Sequence, residues 1–317
     1  MEYAADINAV REAARRIAPF IHRTPVMTSE AVNHIAGREL FFKCENFQKV
    51  GAFKMRGASN AVMKLPDEVA KRGVVTHSSG NFAQALALAA KLRGIEAHIV
   101  MPRTAPSVKR LAVEGYGATI YQCEPTLVAR EATAAEVIEK TGGTLLHPYN
   151  HPDIIAGQGT CALELLEEVP DLDAIIAPIG GGGLMSGICI AARAIDPNIT
   201  LIAAEPAGAD DAYRSFQTGE LIPQTGPNTI ADGLLTSLGD LTWPIVRDYL
   251  RCIITVEDDR IIEAMRLIWQ RMKIIIEPSA AVPVAAVMSD GFASMSNLKR
   301  VGIVLSGGNV DLDRLPW

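Results

Sequence analysis

The stretch from Ala174 to Ala192 carries no charged residue and is about as long as a membrane span. Pro178 and four consecutive glycines, Gly180 to Gly183, lie inside it. Each interior glycine costs a helix about 1 kcal/mol and a proline about 3 kcal/mol, so one continuous helix is excluded. A strand from Ala174 to Ile179, a glycine turn and a following helix fit instead.

The rest of the chain repeats that strand–turn–helix unit. An Asp6 cap opens a first helix that reaches Ile17 before Pro19, and a Ser29 cap opens a second that Gly37 ends. Strand patterns follow at Leu40 to Phe42, Gly73 to Thr76, Ala97 to Met101, Thr119 to Cys123, Thr200 to Ala204 and Val301 to Leu305. Between them the spacing predicts helices after Met55, over Phe82 to Leu92, from Pro106, over Thr126 to Lys140, near Ile154 to Glu168 and over Ile261 to Met272. Such alternation implies an α/β fold with mostly parallel sheets covered by helices. Pro-rich joints near Pro66 and Pro148 divide it into a large domain, residues 1–68 and 149–317, and a small inserted domain, residues 69–148.

At 317 residues with 49% hydrophobic content, the chain can bury a core large enough for two lobes. A net charge of -6 with interspersed signs argues against nucleic acid or an anionic membrane as partner. Five scattered cysteines without a CxxC pair suit a reducing, cytoplasmic setting, and the charged amphipathic N-terminus is no signal peptide.

Chemistry concentrates in loops between a strand's C-terminal end and a helix start, where open α/β sheets bind ligands. Gly180, Gly181, Gly182 and Gly183 let backbone N–H groups crowd around an anion at a helix N-terminus, and phosphate is the natural guest. The GxGxxG fingerprint fails at Met185 and Ser186, and no Walker lysine follows, so a nicotinamide or nucleoside-triphosphate loop does not fit. Ser78, Ser79, Gly80 and Asn81 offer hydroxyls, an amide and N–H groups to a small carboxylate or a phenolate oxygen. Ser306 presents one hydroxyl directly after an apolar strand. Lys54, between Gly51 and Gly57 near a helix start, is disfavoured as an ammonium by the helix dipole and by burial, and a neutral lysine can attack an aldehyde.

Lysine, phosphate loop and ring-nitrogen partner, in that order, resemble the fold-type II pyridoxal-phosphate enzymes, in particular the serine racemase, threonine dehydratase and 3-hydroxyaspartate dehydratase group. The resemblance runs from about Ile7 to Asp311. It implies pyridoxal 5'-phosphate on Lys54, Phe53 packed beside the ring, Asn81 on the ring oxygen, Gly180 to Gly183 on the phosphate and Ser306 on the pyridine nitrogen. Gly233 and Glu277 match positions lining the same pocket. It also implies a homodimer acting on a small amino acid.

The activity expected first is dehydration and deamination of 3-hydroxyaspartate, serine or threonine to a keto or imino acid and ammonia. Lys54 would take the Cα proton and the β-hydroxyl would leave as water. Serine racemisation and a noncatalytic ligand-binding role are the alternatives. The resemblance makes Ser79 the second acid/base, facing Lys54 across the substrate, and brings Arg130 toward a second carboxylate. It assigns Glu205, Asp211 and the Ala209 carbonyl to magnesium, calcium or manganese. Phe82 departs from the group, whose serine racemases carry histidine there.

Overall fold

The computed structural model describes residues 3–105 and 107–317; Pro106, expected to open a helix, lies outside them, and that helix is described as Ser107–Gly115. Among the described residues ten strands form two sheets: β1 (Val26–Met27), β2 (Glu39–Cys44), β3 (Val74–His77), β4 (Ala97–Pro102), β5 (Thr119–Cys123), β6 (Thr144–Leu145), β7 (Ala174–Pro178), β8 (Thr200–Pro206), β9 (Cys252–Val256) and β10 (Arg300–Leu305). The large lobe carries the order β1-β2-β10-β7-β8-β9, parallel except for β1. The small lobe carries β5-β4-β3-β6, parallel throughout.

The uncharged stretch resolves as expected into β7, the glycine turn and the helix Gly183–Ile195. Side chains alternate across a strand, so β7 feeds both faces of its sheet. Ile175 and Ala177 enter one apolar layer with the helices Pro152–Glu168 and Gly183–Ile195. Ala174 and Ile176 enter the other with Asp258–Met272 and Pro278–Val287. Among the described residues no helix is long and apolar enough to cross a membrane.

Local chemistry sets the helix ends. Asp6, Ser29 and Thr126 accept N–H groups of the first turns they precede, each cap contributing about 1 kcal/mol. Gly37, Gly94 and Gly142 close their helices in the left-handed region.

The helix Lys54–Lys64 crosses Pro152–Glu168 where a Cβ on Gly157 would sit 2.6 Å from the Gly57 Cα, so the two backbones pack without side chains between them. Beside that crossing lies a buried charge cluster. Arg56 donates from Nε and Nη2 to Glu45 and from both Nη atoms to Glu164, and Lys43 Nζ donates to Glu164 at 2.7 Å. Thr24 and Thr160 complete the guanidinium's partners. Removing one member of such a set costs about 3–5 kcal/mol, because the remaining charge is left uncompensated in the interior.

Candidate active site

Lys54 is the first residue of its helix and is half-buried. Its Nζ donates to the carbonyl of Pro148 at 2.8 Å and lies 5.1 Å from the Phe53 ring centroid and 5.8 Å from that of Phe82. Burial holds its pKa down at about 8, against a smaller upward pull from Glu277. The two rings attract an ammonium, but the loss of water outweighs them, and the amine is poised for proton exchange near neutral pH.

The turn before Lys54 is strained. Val50 sits at φ 57, ψ 13, a left-handed conformation that is unusual for a β-branched residue. Its carbonyl accepts Asn309 Nδ2 at 2.7 Å, and Gly308 N–H donates to Gly51 O at 2.9 Å. Phe53 N–H donates to the Ser306 carbonyl, which brings the third loop against the lysine turn. Ser306 is buried, and among the described residues its hydroxyl has no hydrogen-bond partner.

The Ser78–Asn81 loop comes from the small lobe, between β3 and the helix Asn81–Arg93. Gly80 is the N-cap, and Ser78, Ser79, Gly80 and Asn81 are all half-buried. Asn81 Nδ2 donates to both carboxylate oxygens of Glu277, at 2.9 and 3.1 Å. Asn81 Oδ1 accepts from Asn309 Nδ2, whose backbone N–H reaches Glu277 Oε2. Burial, then the nearby Asp232, pushes Glu277 up to about 7. Gly233 donates its N–H to Ser279 Oγ at 3.0 Å, and a Cβ there would lie 4.0 Å from Glu277 Oε1.

Among the described residues, the N–H groups of Gly180, Gly181, Gly182 and Gly183 make no hydrogen bond within the protein. Four free donors at a helix N-terminus are the setting an anion needs. The Tyr149 ring lies so close that a Cβ on Gly181 would sit 2.3 Å from its Cγ. Gly182 takes φ 84, and the Gly181 carbonyl accepts Thr242 Oγ1 at 2.9 Å. These free donors, the unpaired Ser306 hydroxyl and a lysine with a lowered pKa fit the cofactor that the resemblance implied.

Arg130 lies in the first turn of the helix Leu127–Thr141, close enough that its charge acts on His77, the residue before Ser78. Its Nε is buried without a partner. Sequence reasoning missed His147, whose Nδ1 accepts the N–H of Asn150 at 3.0 Å. Burial, His77 and Lys54 together lower His147 to about 4. The dipeptide His147-Pro148 signalled only a joint, and Tyr149, Asn309 and Lys109 carried no recognisable motif.

Glu205 and Asp211 are buried at the end of β8 and the start of the helix Asp211–Thr218, with Ala209 in the turn between them. Both Glu205 oxygens accept N–H groups of that helix, from Ala212 at 2.9 Å and Tyr213 at 2.8 Å. Asp211 Oδ2 accepts Leu238 N–H at 3.1 Å, while its Oδ1 is buried without a partner. Burial pushes Glu205 up to about 8 and Asp211 to about 6. Among the described residues no group of three or more His, Cys, Asp or Glu side chains is arranged to hold a metal. The set is therefore two carboxylates and a carbonyl, with one free carboxylate oxygen.

Comparison with known proteins follows the same outline. The family described as pyridoxal-phosphate dependent enzyme matches residues 17–307. The chain is 53% identical over 308 residues to a serine racemase of Dictyostelium discoideum, covering 96% of this chain and 95% of that one. It is 54% identical over 305 residues to a beta-hydroxyaspartate dehydratase of Paracoccus denitrificans, covering 96% of each. The structure of maize serine racemase superposes with a TM-score of 0.97 at 53% identity, covering 98% of this chain and 95% of that one.

Proposed function

This chain belongs to the pyridoxal-phosphate dependent enzyme family, and within it we propose a racemase of serine or a close analogue, with dehydration of small β-hydroxy amino acids as a second outcome. This reverses the order expected from sequence, where dehydration came first; the serine racemase relatives support the change. The observation that carries it is the approach of Lys54 to the helix that the serine-bearing loop opens, its Nζ lying 5.8 Å from the Phe82 ring centroid, while Asn81 at the start of that helix is held by Glu277. Racemisation needs a proton group on each face of Cα, and dehydration of one enantiomer needs only one.

When bound, pyridoxal phosphate withdraws electrons from the substrate's Cα and so makes its proton removable. Lys54 exchanges that proton on one face and Ser79 on the other. The N–H groups of Gly180 to Gly183 would hold the phosphate, and the Ser306 hydroxyl would serve the pyridine nitrogen as a neutral partner. Asn81, braced by Glu277 and Asn309, would hold the ring oxygen. Ser78, Ser79 and Gly80 bind the substrate carboxylate. Phe53 and Phe82 keep water from the lysine, and Gly233 leaves room beside Glu277.

Glu205, Asp211 and the Ala209 carbonyl would hold a divalent cation, magnesium or calcium by their hard oxygen donors. The cation would offset two buried carboxylates whose ionisation burial opposes. The free cysteines suit the cytoplasm, and a homodimer is the assembly carried over from the resemblance.

A specific observation favours β-hydroxyaspartate as the dehydration substrate. Arg130 keeps an unpartnered buried Nε beside the serine loop, the donor that a second carboxylate would meet. The Paracoccus relative supports the same choice. Chiral product analysis on D- and L-serine, threonine and the 3-hydroxyaspartates tests both readings. Inversion of serine faster than release of keto acid is expected. Keto acid alone from every substrate would overturn the racemase, and cofactor absorption without any turnover would favour the noncatalytic alternative.

A further inference from the structure

Two rings close on the Lys54 amine, and they belong to different layers of the fold. Phe53 is half-buried and packs with the layer of the helices Pro152–Glu168 and Gly183–Ile195. Phe82, the second residue of Asn81–Arg93, is 2% exposed and joins the layer of Met55, Ala58, Leu86 and Ile154. Its place is set by the fold itself: Lys54–Lys64 packs on Asn81–Arg93, and Arg93 donates to the carbonyls of Val62 and Leu65. Few charges face the amine. Glu277 pulls its pKa up. His147, held down at about 4, is uncharged near neutral pH, and Tyr149 is raised by burial and stays protonated. Arg56 on the same helix is engaged by Glu45 and Glu164. Phe82, Ala83 and Gln84, which follow Asn81, and the Ser306–Asn309 loop carry no titratable group. Loss of water, rather than a neighbouring charge, therefore decides whether Lys54 keeps its proton.

We propose that Phe82 is a positioning residue acting through Lys54: its buried ring is the wall that keeps the amine dry and so sets the pH range in which that amine exchanges the Cα proton. Phe53, only half-buried, does not seal the amine by itself. A ring face also attracts an ammonium, which works in the opposite direction. Two substitutions separate these effects. Methionine keeps an apolar wall and removes the ring face. Glutamine, of similar length, brings an amide oxygen and water to the amine. The inference rests on the Lys54 role proposed above for its catalytic consequence, but the wall itself can be measured without turnover.

The experiment titrates Lys54 in the full chain, before cofactor is added, by trace acetylation with acetic anhydride across neutral and alkaline pH. The peptide carrying Lys54 is quantified against the one carrying the exposed Lys71. The parent midpoint is expected at about 8. Phe82→Gln should raise it by about one unit, which lowers acetylation near neutral pH about tenfold. Phe53→Gln should raise it less. Phe82→Met should leave it at the parent value or slightly below. In the loaded enzyme, the acid limb of kcat/KM on L-serine should move with the acetylation midpoint. A purely structural role would lower activity and leave the midpoint in place. An unmoved midpoint in a folded Phe82→Gln chain, or a larger rise in Phe53→Gln, would overturn the proposal. So would a rise in Phe82→Met, which nearly conserves volume and decides the matter where the glutamine chain does not fold. A parent enzyme that turns over no serine removes the catalytic reading alone, because acetylation still reads the wall.

Discussion

Phe53 N–H and the Ser306 carbonyl are 3.0 Å apart, although more than half the chain separates them in sequence. That bond continues into the bridge between Ala52 and Gly307, so the lysine turn and the end of β10 move as one body. The backbone that carries the Lys54 amine therefore keeps its spacing from the Ser306 loop.

Replacing Lys54 by Ala should abolish both the visible absorption of the lysine-bound cofactor and turnover. The other lysine near the cleft, Lys109, is engaged by Asp232 and does not substitute. Spectra and product assays on one preparation check this; retained turnover without added amine would mean that another group carries the cofactor.

Ser79→Ala should separate the two outcomes. A placed acid–base group is worth about 10²–10⁴-fold, so racemisation and turnover of D-substrates should fall by that order. Elimination from an L-substrate should fall about tenfold or less, equivalent to roughly 1.4 kcal/mol of lost positioning. Equal losses on both enantiomers, with cofactor absorption intact, would reduce Ser79 to a binding residue.

Chelation should lower the melting temperature, since a ligand at 100 times its Kd adds about 2.7 kcal/mol. Magnesium or calcium should restore it in the parent but not in Asp211→Ala. Asp211 holds Leu238 N–H, and Thr242 accepts the neighbouring Gly239 N–H while donating to Gly181 O. Chelation should for that reason also weaken cofactor retention, read as loss of visible absorption on dialysis. An unchanged melting temperature in chelator would remove the cation from this account.

Gly181→Ala should force the Tyr149 ring aside, at about 1–3 kcal/mol for an overpacked site. Calorimetry and cofactor titration should show lower stability and affinity, with Tyr149→Ala in the same chain restoring most of the stability. Parental stability in the single variant would show that the ring yields freely.

His147 makes stability pH-dependent. Its folded pKa is about 4 against an ordinary 6.5, so in that window the unfolded chain binds the extra proton. Its contribution is thus lost as pH falls from about 6.5 to about 4 and is constant below. Denaturant titrations across this range should show a shallower fall for His147→Gln than for the parent; parallel curves would contradict the assignment.

Much of this architecture was readable from sequence because strand and helix signals agreed with their punctuation. The caps at Asp6, Ser29 and Thr126 lie where the sequence put them, as do the closing glycines Gly37 and Gly94. Elements without a local signature were not. Strands β1 and β6 have two residues each and exist only through their partners. The helix Pro278–Val287 hides behind Pro283, and β9 follows a segment that reads as loop. In the site, glycines, serines and the lysine announced themselves by type and spacing. Asn309, Tyr149 and Lys109 act through contacts that only the folded chain creates.

The cluster of Arg56, Glu45, Glu164 and Lys43 bears on how such an enzyme can diversify. Four interior charges that satisfy one another can hardly be altered one at a time, and Arg56 stands two residues from Lys54. The anchor of the chemistry is thereby locked against drift. Phe82 and Arg130, which among the described residues make no bond to that cluster, can by contrast be exchanged without leaving one of its charges uncompensated.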